Sequence, residues 1–308
     1  MSLHVAIAIV GFRNPDDVVD CLAALSMARH QDFEVVICEN GGDAAFSELS
    51  ARTPASLPGG QPVRLICAPS NLGYAGGVNT CMRHSADADA WWVLNPDTRA
   101  DRDALSALVE RLGRGDCQAV GGTIQLSDGS VQAYGGRWQR WLARAVSLGH
   151  GSAMSADIDP QRIEDLQNFL NGASMLIGRQ FLETTGPMRE DYFLYCEEVE
   201  WCLRGLKRGM RFGFAPHGVV LHKQGTSTGN VVDLRGRSRL SVYLNERNRL
   251  LLSRDCFPVL FPVTILTALA ILLLRFGKRR AWRQLLYAVQ GWGAGLANRR
   301  GIPGWGKA

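Results

Sequence analysis

The first 120 residues alternate short apolar runs with stretches of helical spacing. The β-prone runs cover residues 4–10, 33–38, 63–67 and 90–94. Apolar residues recur at helical spacing in the stretches at residues 15–25, 76–84 and 101–112. Strands and helices in this alternation build sheets covered by helices, so the pattern predicts an α/β fold with a mostly parallel central sheet flanked by helices.

Two stretches lack clear periodicity. Residues 51–62 contain three prolines and two glycines, which predicts a loop. Residues 125–160 are rich in Gly, Ser and Arg, and the pattern gives them no assignment. Apolar runs return between residues 168 and 222, where they surround an acidic cluster.

A different pattern begins near residue 235. Residues 257–274 are eighteen residues without a charge, which is near the lower limit for a membrane-spanning helix. Lys and Arg are dense on both sides, six within residues 235–254 and five within 275–283, so a single span would place one cluster on the unfavoured membrane face. The pattern therefore favours a re-entrant or surface-lying helix, and a helical interface in a homodimer is the alternative.

Charge is segregated along the chain. The net charge is +5, yet residues 235–308 carry 14 Lys and Arg against 2 Asp and Glu, which is +12 and leaves −7 on the rest. Basic clusters beside an apolar segment favour an anionic membrane surface as partner. The tail lacks the interleaved aromatic and basic residues of a nucleic-acid groove, so we expect no nucleic-acid partner.

Cysteine usage and the first residues bear on the compartment. The eight cysteines form no C-x-x-C pair, which indicates reduced thiols in a cytosolic protein. Residues 1–10 lack a basic start and a small-residue cleavage site, so they predict a first strand and not a secretory signal. We expect a cytoplasmic protein, peripheral on or re-entrant into the cytoplasmic face of the inner membrane.

Asp97 follows a predicted strand, in the sequence Leu94-Asn95-Pro96-Asp97. Open α/β sheets bind ligands at the carboxyl ends of their strands. A carboxylate there can hold Mg²⁺ or Mn²⁺ together with diphosphate oxygens. Asn-Pro-Asp is also good turn chemistry, so Asp97 is either a metal ligand or a turn residue.

Three carboxylates crowd into four positions at Glu197, Glu198 and Glu200. At the start of a helix they would be stabilised by the helix dipole, a common structural arrangement. The apolar residues among them, such as Tyr195 and Trp201, would also desolvate a carboxylate and raise its pKa toward that of a general base. These surroundings favour a catalytic role.

Two histidines bracket the short apolar run at residues 217–222. His217 fits an ordinary, partly exposed imidazole. His222 stands at a predicted strand end, where it could complete a metal site.

These motifs occur in one order, and the ordered set resembles the family-2 glycosyltransferases of GT-A fold over residues 4 to about 250. The set comprises GFRN at 11–14, VICENGG at 36–42, NLGYAGGVN at 71–79, LNPD at 94–97, NGASML at 171–176, the acidic cluster, His222 with Gly225 and Ser227, and YLNERN at 243–248. The last motif is similar to the family's bacterial polysaccharide branch, and Asn-Pro-Asp is similar to its rhamnosyltransferase-like members.

The resemblance implies a division of the chain. A GT-A catalytic domain would cover residues 1–234, with a nucleotide-binding half at about 1–123 and an acceptor half at about 124–234. A basic, apolar helical extension that associates with the membrane would cover residues 235–308.

The resemblance also implies roles for individual residues. Those at the nucleotide and the donor sugar would be Phe12, Glu39, Asn71, Gly73, Asn95, Gly172 and Ala173. Asp97 would hold Mg²⁺ or Mn²⁺ as the surviving acid of the family's Asp-x-Asp motif, assisted by His222. Glu198 falls at the position of the catalytic base, with Glu197 as the alternative, while Glu200 would help shape the acceptor side.

The implied reaction is a single inverting displacement that moves a sugar from a nucleotide diphosphate to a hydroxyl of a glycan or lipid-linked acceptor. The first expected donor is dTDP-L-rhamnose, followed by UDP- and GDP-sugars. Two other functions stay open. One is a catalytically degenerate, membrane-bound scaffold, and the other is a nucleotidyltransferase, which the lack of a Gly-rich Lys/Arg signature near the first strand disfavours.

Overall fold

The computed structural model describes residues 3–154, 158–223 and 234–306. Within them the strands are β1 (Val5–Gly11), β2 (Phe33–Glu39), β3 (Val63–Cys67), β4 (Ala90–Leu94), β5 (Thr98–Ala100), β6 (Ala119–Leu126), β7 (Val131–Ala133), β8 (Gly135–Gln139), β9 (Arg144–Leu148), β10 (Ser174–Gly178) and β11 (Phe212–His222). The helices are α1 (Pro15–Leu25), α2 (Asp43–Arg52), α3 (Gly73–Arg83), α4 (Ala104–Gly113), α5 (Pro160–Leu166), α6 (Arg179–Thr185), α7 (Glu197–Lys207), α8 (Arg239–Cys256), α9 (Phe261–Lys278) and α10 (Trp282–Leu296).

The described residues form one nine-stranded central sheet. Its order is β3-β2-β1-β4-β10-β6-β11-β5, with β7 beside β6. Strands β1 to β4 pair in parallel, and β11 is parallel to β6. Strand β10 runs antiparallel between β4 and β6 and so joins the two parallel groups. The sheet is mixed and mostly parallel, as the sequence predicts.

Burial on both faces explains why the central strands read as continuous apolar runs. In β1, Ile7 and Ile9 face the layer that holds α1 and α4. Ala6 and Val10 face the opposite layer, which holds α3, α7 and α8. Every residue of β1 is buried, so the sheet lies between two helical layers.

The elements that the periodicity misses include helix α2 and a β-hairpin. Helix α2 buries only Leu49 and therefore has no apolar stripe for a sequence reading to find. The predicted loop at residues 51–62 is correct apart from its first two residues, which complete α2. The unassigned stretch at 125–160 holds the antiparallel hairpin of β8 and β9.

The C-terminal part, residues 235–306, is helical, as predicted. It packs on the preceding part of the chain, which contains the central sheet and is called the sheet domain below. Helix α10 lies very close to α8, because a side chain at Gly291 would come within 2.3 Å of Tyr243 O and one at Gly295 within 2.7 Å of Arg247 O. Residues Pro258–Lys278 form a helical stretch that is long and apolar enough to cross a membrane, with 22% of it buried against the rest of the chain.

Candidate active site

The candidate site begins where β4 ends and β10 starts. Asn95 donates its backbone N–H to Ala173 O at 3.0 Å, which joins the two strand ends. Asp97 follows two residues later and is 7% exposed. The next residue, Thr98, pairs in register with His222 at the end of β11. This pairing brings the imidazole of His222 beside the carboxylate of Asp97.

Asp97 and His222 are in direct contact. His222 Nε2 lies 3.2 Å from Asp97 Oδ1, and both side chains are nearly buried. On its other side His222 Nδ1 lies 2.8 Å from the amide oxygen of Gln132, on β7. When Nδ1 donates to Gln132, Nε2 is left to carry either a proton for Asp97 or a lone pair for a cation. Gln132 belongs to the stretch that the sequence pattern left unassigned.

Asp97 and His222 together fit a divalent cation that a nucleotide diphosphate also coordinates. A carboxylate oxygen and an oriented imidazole are suitable ligands for Mn²⁺ or Mg²⁺, and diphosphate oxygens can complete the coordination. Among the described residues no group of three or more His, Cys, Asp and Glu could hold a metal ion by itself. Asp97 and His222 would thus supply two ligands to a cation, and diphosphate oxygens of a bound nucleotide are suitable further ligands.

Glu197 and Glu198 open α7, and their environments differ. Glu197 is 2% exposed, and its Oε2 has no hydrogen-bond partner within the described residues. Burial, followed by the charge of Glu198, raises the pKa of Glu197 to about 8. Glu198 is half-buried, and burial raises its pKa as well. Glu198 is thus the more accessible of two carboxylic groups that hold protons unusually tightly.

Glu198 lies against the backbone of Gly172. A side chain at Gly172 would come within 3.3 Å of Glu198 Cγ, so glycine leaves room for this carboxylate. Gly172 directly precedes Ala173, whose carbonyl binds Asn95. The base candidate and the Asp97 region are therefore joined through residues 172 and 173.

Tyr74 lies among the acids and was not predicted as a site residue. Its hydroxyl donates to Gly172 O at 2.6 Å. Burial raises the pKa of Tyr74 well above its usual value, and the nearby charges of Glu197, Glu198 and Asp97 raise it further. The phenol stays neutral, and its hydrogen bond places it beside Gly172, the residue that Glu198 also lies against. The one feature of the sequence that could have indicated Tyr74 as a site residue is its position inside the NLGYAGGVN motif.

The turn before the acids is strained. Phe193, Tyr195 and Cys196 have φ values of 69°, 75° and 69°, a left-handed region that non-glycine residues rarely adopt. Asn248, fully buried on α8, stabilises this turn through its side-chain amide. Its Nδ2 lies 3.0 Å from Tyr192 O and 2.8 Å from both Leu194 O and Tyr195 O.

An ionic network ties the C-terminal segment to the same turn. Arg300 donates to Asp255 at 2.7 Å and to Asp191 at 2.9 Å. Arg189 bridges the same two carboxylates. The N–H of Gly301 adds a backbone hydrogen bond to Asp191 O at 2.7 Å. The last described residues are therefore part of the support for the acid-bearing turn.

Glu200 is engaged elsewhere. It is 4% exposed, and its carboxylate lies 2.9 Å from Arg204 Nε, one helical turn along α7. Arg204 also donates to the carbonyls of Thr185 and Pro187. These contacts fix α7 against the end of α6, and a role of Glu200 at the acceptor stays a prediction.

The predicted nucleotide residues lie at the carboxyl ends of β1 and β2. Glu39 is 1% exposed, and its Oε1 accepts the backbone N–H groups of Arg13 at 3.0 Å and Gly41 at 2.7 Å. The buried carboxylate thus joins the loops after β1 and β2. Phe12, in the first of these loops, is half-buried beneath the guanidinium of Arg13.

Asn71 and Gly73 shape the start of α3. Asn71 Oδ1 accepts the N–H of Gly73 at 3.0 Å. Gly73 has φ +71°, and a side chain there would come within 2.2 Å of Phe193 O. Only glycine fits this close approach between α3 and the acid-bearing turn. The nucleotide-binding roles of these residues stay predictions, and Gly225 and Ser227 lie outside the described residues.

A model of glycosyltransferase like family 2 matches residues 3–249. The chain belongs to this family. The resemblance found in the sequence is thereby confirmed, and with it the general activity of a nucleotide-sugar-dependent glycosyltransferase. The match of this family-2 glycosyltransferase ends inside α8, one residue after Asn248.

Two relatives of this glycosyltransferase have assigned activities. It is 23% identical over 308 residues to the low-salt glycan biosynthesis hexosyltransferase Agl10 of Haloferax volcanii, covering 97% of this chain and 92% of the relative. It is 26% identical over 227 residues to an N-acetylglucosaminyl-diphospho-decaprenol L-rhamnosyltransferase of Mycobacterium tuberculosis, covering 68% and 72% of the two chains.

A solved structure supports the fold of this glycosyltransferase. A mannosyltransferase from Pyrobaculum calidifontis, in complex with GDP-Man and Mn²⁺, superposes with a TM-score of 0.56 at 14% identity, covering 97% of this chain and 88% of that one. The predicted GT-A-like fold with C-terminal helices is confirmed.

Proposed function

We propose that this protein transfers a sugar from a nucleotide diphosphate to an acceptor hydroxyl with inversion, and that Glu198 is the general base. The observation that carries the proposal is the position of Glu198, which is partly accessible and lies against Gly172 at the predicted donor-sugar border. Its raised pKa increases its strength as a base once it is ionised. Glu197, which is almost fully buried, is less suited to reach a substrate.

The proposed step is one displacement. The acceptor oxygen bonds to the anomeric carbon from the face opposite the diphosphate. The bond from that carbon to the diphosphate oxygen breaks, and its electron pair leaves with the diphosphate. The hydroxyl proton passes to a carboxylate oxygen of Glu198. Because attack and departure occur on opposite faces, the configuration inverts.

Asp97 and His222 are the residues that would hold Mg²⁺ or Mn²⁺, with Gln132 orienting the imidazole. The bound cation would neutralise negative charge on the leaving diphosphate. The fit of one carboxylate and one imidazole supports this assignment, as does the Mn²⁺ in the mannosyltransferase of similar fold.

The proposed donor is dTDP-L-rhamnose, with UDP- and GDP-sugars as the next candidates. The Asn95-Pro96-Asp97 sequence and the activity of the Mycobacterium tuberculosis relative support this choice. The proposed acceptor is a lipid-linked or cell-surface glycan.

We place the protein on the cytoplasmic face of the inner membrane, through α9 and α10. These helices expose large apolar side chains, among them Leu266 at 69%, Leu274 at 71%, Trp282 at 65% and Leu286 at 57%. The basic residues at 275–283 lie between them and suit an anionic surface. A self-association of the same face, giving a homodimer, is the alternative to be tested.

The test is release of nucleotide diphosphate by purified protein from a panel of dTDP-, UDP- and GDP-sugars, with Mn²⁺ or Mg²⁺ and then with chelator. We expect one donor class to turn over and chelator to abolish turnover. Glu198→Gln should lower turnover by about a hundredfold or more, a typical effect of losing general base catalysis. Asp97→Asn should lower it strongly as well.

The matched control is Glu183→Gln, which changes an exposed glutamate on α6 and should leave turnover unchanged. Near-normal turnover by a folded Glu198→Gln protein would refute the assignment of the base. If no donor of the panel were turned over, even with lipid extract as acceptor, the result would favour the catalytically degenerate scaffold.

A further inference from the structure

A basic cavity lies between α8, α10 and the C-terminal segment. It consists of two adjoining lobes of about 320 Å³ and 400 Å³, which share Tyr243, Arg299 and Trp305. The charged and aromatic side chains that line it are Arg239, Tyr243, Arg247, Arg299, Arg300 and Trp305. Four of these six are arginines, so the cavity is a candidate site for an anion.

Most of this positive charge is not balanced. Arg239 and Arg299 are exposed, and neither forms an ion pair in the part of the chain that the structure describes. Arg239 donates only to the amide oxygen of Gln290, at 3.1 Å. Arg300 is neutralised by Asp255 and Asp191. Two accessible guanidinium groups thus remain for a ligand.

Arg247 adds a buried charge at the wall of the cavity. It is 1% exposed, and it donates to Tyr192 O at 2.8 Å, to Asn248 Oδ1 at 2.8 Å and to Gly301 O. These partners are neutral, and Arg247 has no ion pair within the described residues. A buried charge is costly unless it is compensated, so an anion nearby would stabilise this side chain.

Aromatic surface lies beside the arginines. Trp305 packs edge-on against Tyr243, with ring centroids 5.3 Å apart, and Arg239 lies 4.1 Å above the Trp305 ring. The lining residue Gln290 belongs to α10, which also carries the exposed Leu286. Leu286 and Gln290 are four residues apart and so lie on the same side of α10, which brings the cavity next to the apolar face and suits an anion attached to an apolar chain.

The cavity also adjoins the acid-bearing turn. Tyr243 packs in one apolar cluster with Phe193 and Leu194. Arg247, on the cavity wall, holds Tyr192 O, at the start of that turn. An anion bound here would lie next to the segment that positions Glu197 and Glu198.

We propose that this cavity binds the phosphate or diphosphate group of a lipid-linked acceptor. The planar forks of Arg239 and Arg299 match phosphate oxygens, and Trp305 contacts the first part of the lipid. The inference rests on the proposed function, because it names the class of acceptor and its binding site in the same enzyme. Bound in this way, the acceptor approaches Glu198 from the α8 side.

The test measures binding of farnesyl diphosphate, a soluble prenyl diphosphate, to the full chain by calorimetry. We expect Arg299→Gln and Arg239→Gln each to weaken binding about tenfold or more, since each removes a charge-assisted hydrogen bond. Arg299→Lys should restore part of the affinity. Arg162→Gln removes an equal charge from an exposed site on α5 and should have no effect. Thermal melting checks that each variant is folded.

Further measurements distinguish a lipid-linked diphosphate from free phosphate and from a phospholipid headgroup. Equal affinity of the wild type and Arg299→Gln for farnesyl diphosphate would overturn the proposal. The proposal would also be overturned if inorganic phosphate bound as tightly as farnesyl diphosphate. A third contradicting result is that the variants lose binding only to phosphatidylglycerol vesicles, which would indicate a phospholipid headgroup as the ligand.

The same variants keep the two proposals distinguishable. Nucleotide-sugar affinity should be unchanged in Arg299→Gln, since none of the predicted donor residues lines the cavity that contains Arg299. Farnesyl diphosphate binding that depends on Arg299, in a protein that turns over no donor, would refute the proposed function and leave the cavity assignment intact.

Discussion

Glu197 and Glu198 are adjacent in sequence, and the fold gives them different chemistry. Glu197 points into the protein with one oxygen lacking a partner in the described residues, whereas Glu198 faces Gly172 and retains some access to solvent. The sequence favoured Glu198 as the proposed base and kept Glu197 as the alternative. It could not decide between them, because the accessibility of each carboxylate depends on how the strained turn at residues 193–196 directs the start of α7.

The buried Glu197 predicts an unusual dependence of stability on pH. Its pKa is raised from 4.5 to about 8, so the folded state binds this proton more tightly than the unfolded state. The resulting stabilisation is complete below pH 4.5 and is lost as pH rises through about 8. We expect Glu197→Gln to differ least from the wild-type melting temperature at pH 5 and to exceed it most at pH 9.

Thermal melts at pH 5, 7 and 9 would check this expectation. Glu183→Gln, at an exposed position, is the control and should show no pH-dependent difference. A constant gap between Glu197→Gln and the wild type at all three values would mean that Glu197 is not the group that titrates.

Other residues show where sequence reasoning reaches its limit. Asp97 and His222, 125 positions apart, were predicted to share a site, and they are in contact because β5 pairs with β11. Gln132 was missed because a single glutamine in an irregular stretch has no distinguishing pattern. Tyr74 was missed as a site residue because its role depends on a hydrogen bond to a distant carbonyl.

At the scale of elements, α8 connects the C-terminal part to the active site. Asn248 holds three carbonyls of the turn before α7, and Arg247 holds one of them as well. Periodicity located the first four strands, because buried parallel strands are short, apolar and bounded by turns. It could not reveal that a helix outside the central sheet stabilises the acid-bearing turn, since such contacts leave no periodic signal.

The side-chain hydrogen bonds of Asn248 predict a defined loss when they are removed. Its two N–H groups are shared among three carbonyls, and its Oδ1 accepts a third hydrogen bond from Arg247. Asn248→Ala should lower the free energy of unfolding by about 3 kcal/mol, at roughly 1 kcal/mol for each of these N–H groups and for the bond from Arg247. It should also lower kcat while changing the KM for donor less, because the turn precedes the proposed base, whereas the predicted nucleotide residues lie in or next to β1, β2 and α3. Denaturant unfolding and steady-state kinetics would measure both effects.

The control for this experiment is Asn245→Ala. Asn245 lies on the same helix but is only half-buried, so its removal should change stability and kcat little. Equal effects of the two substitutions would show that the hydrogen bonds to the turn are not what stabilises it.

At the scale of the whole molecule, the apolar face of α9 and α10 predicts where the protein resides. Leu266→Glu places a charge in the middle of that face, where Leu266 is 69% exposed. We expect the affinity for anionic liposomes to fall about tenfold or more. The substitution removes the free energy gained when Leu266 is buried in the lipid, and it brings a negative charge close to the membrane. Liposome flotation measures this directly.

Met27→Glu is the matched control, since Met27 is 71% exposed on the sheet domain, at the end of α1. Its liposome binding should equal that of the wild type. If Leu266→Glu instead changed the oligomeric state and left liposome binding unaltered, the face would be a dimer interface.

The network of Arg300, Asp191 and Asp255 has a consequence for synthesis of the protein on the ribosome. The strands of the nucleotide half emerge early and can form their sheet while translation continues. The turn that presents Glu197 and Glu198 is completed by contacts from residues 300 and 301. The nascent chain can therefore pair β1 to β4 long before residues 300 and 301 are available to hold the acid-bearing turn in place.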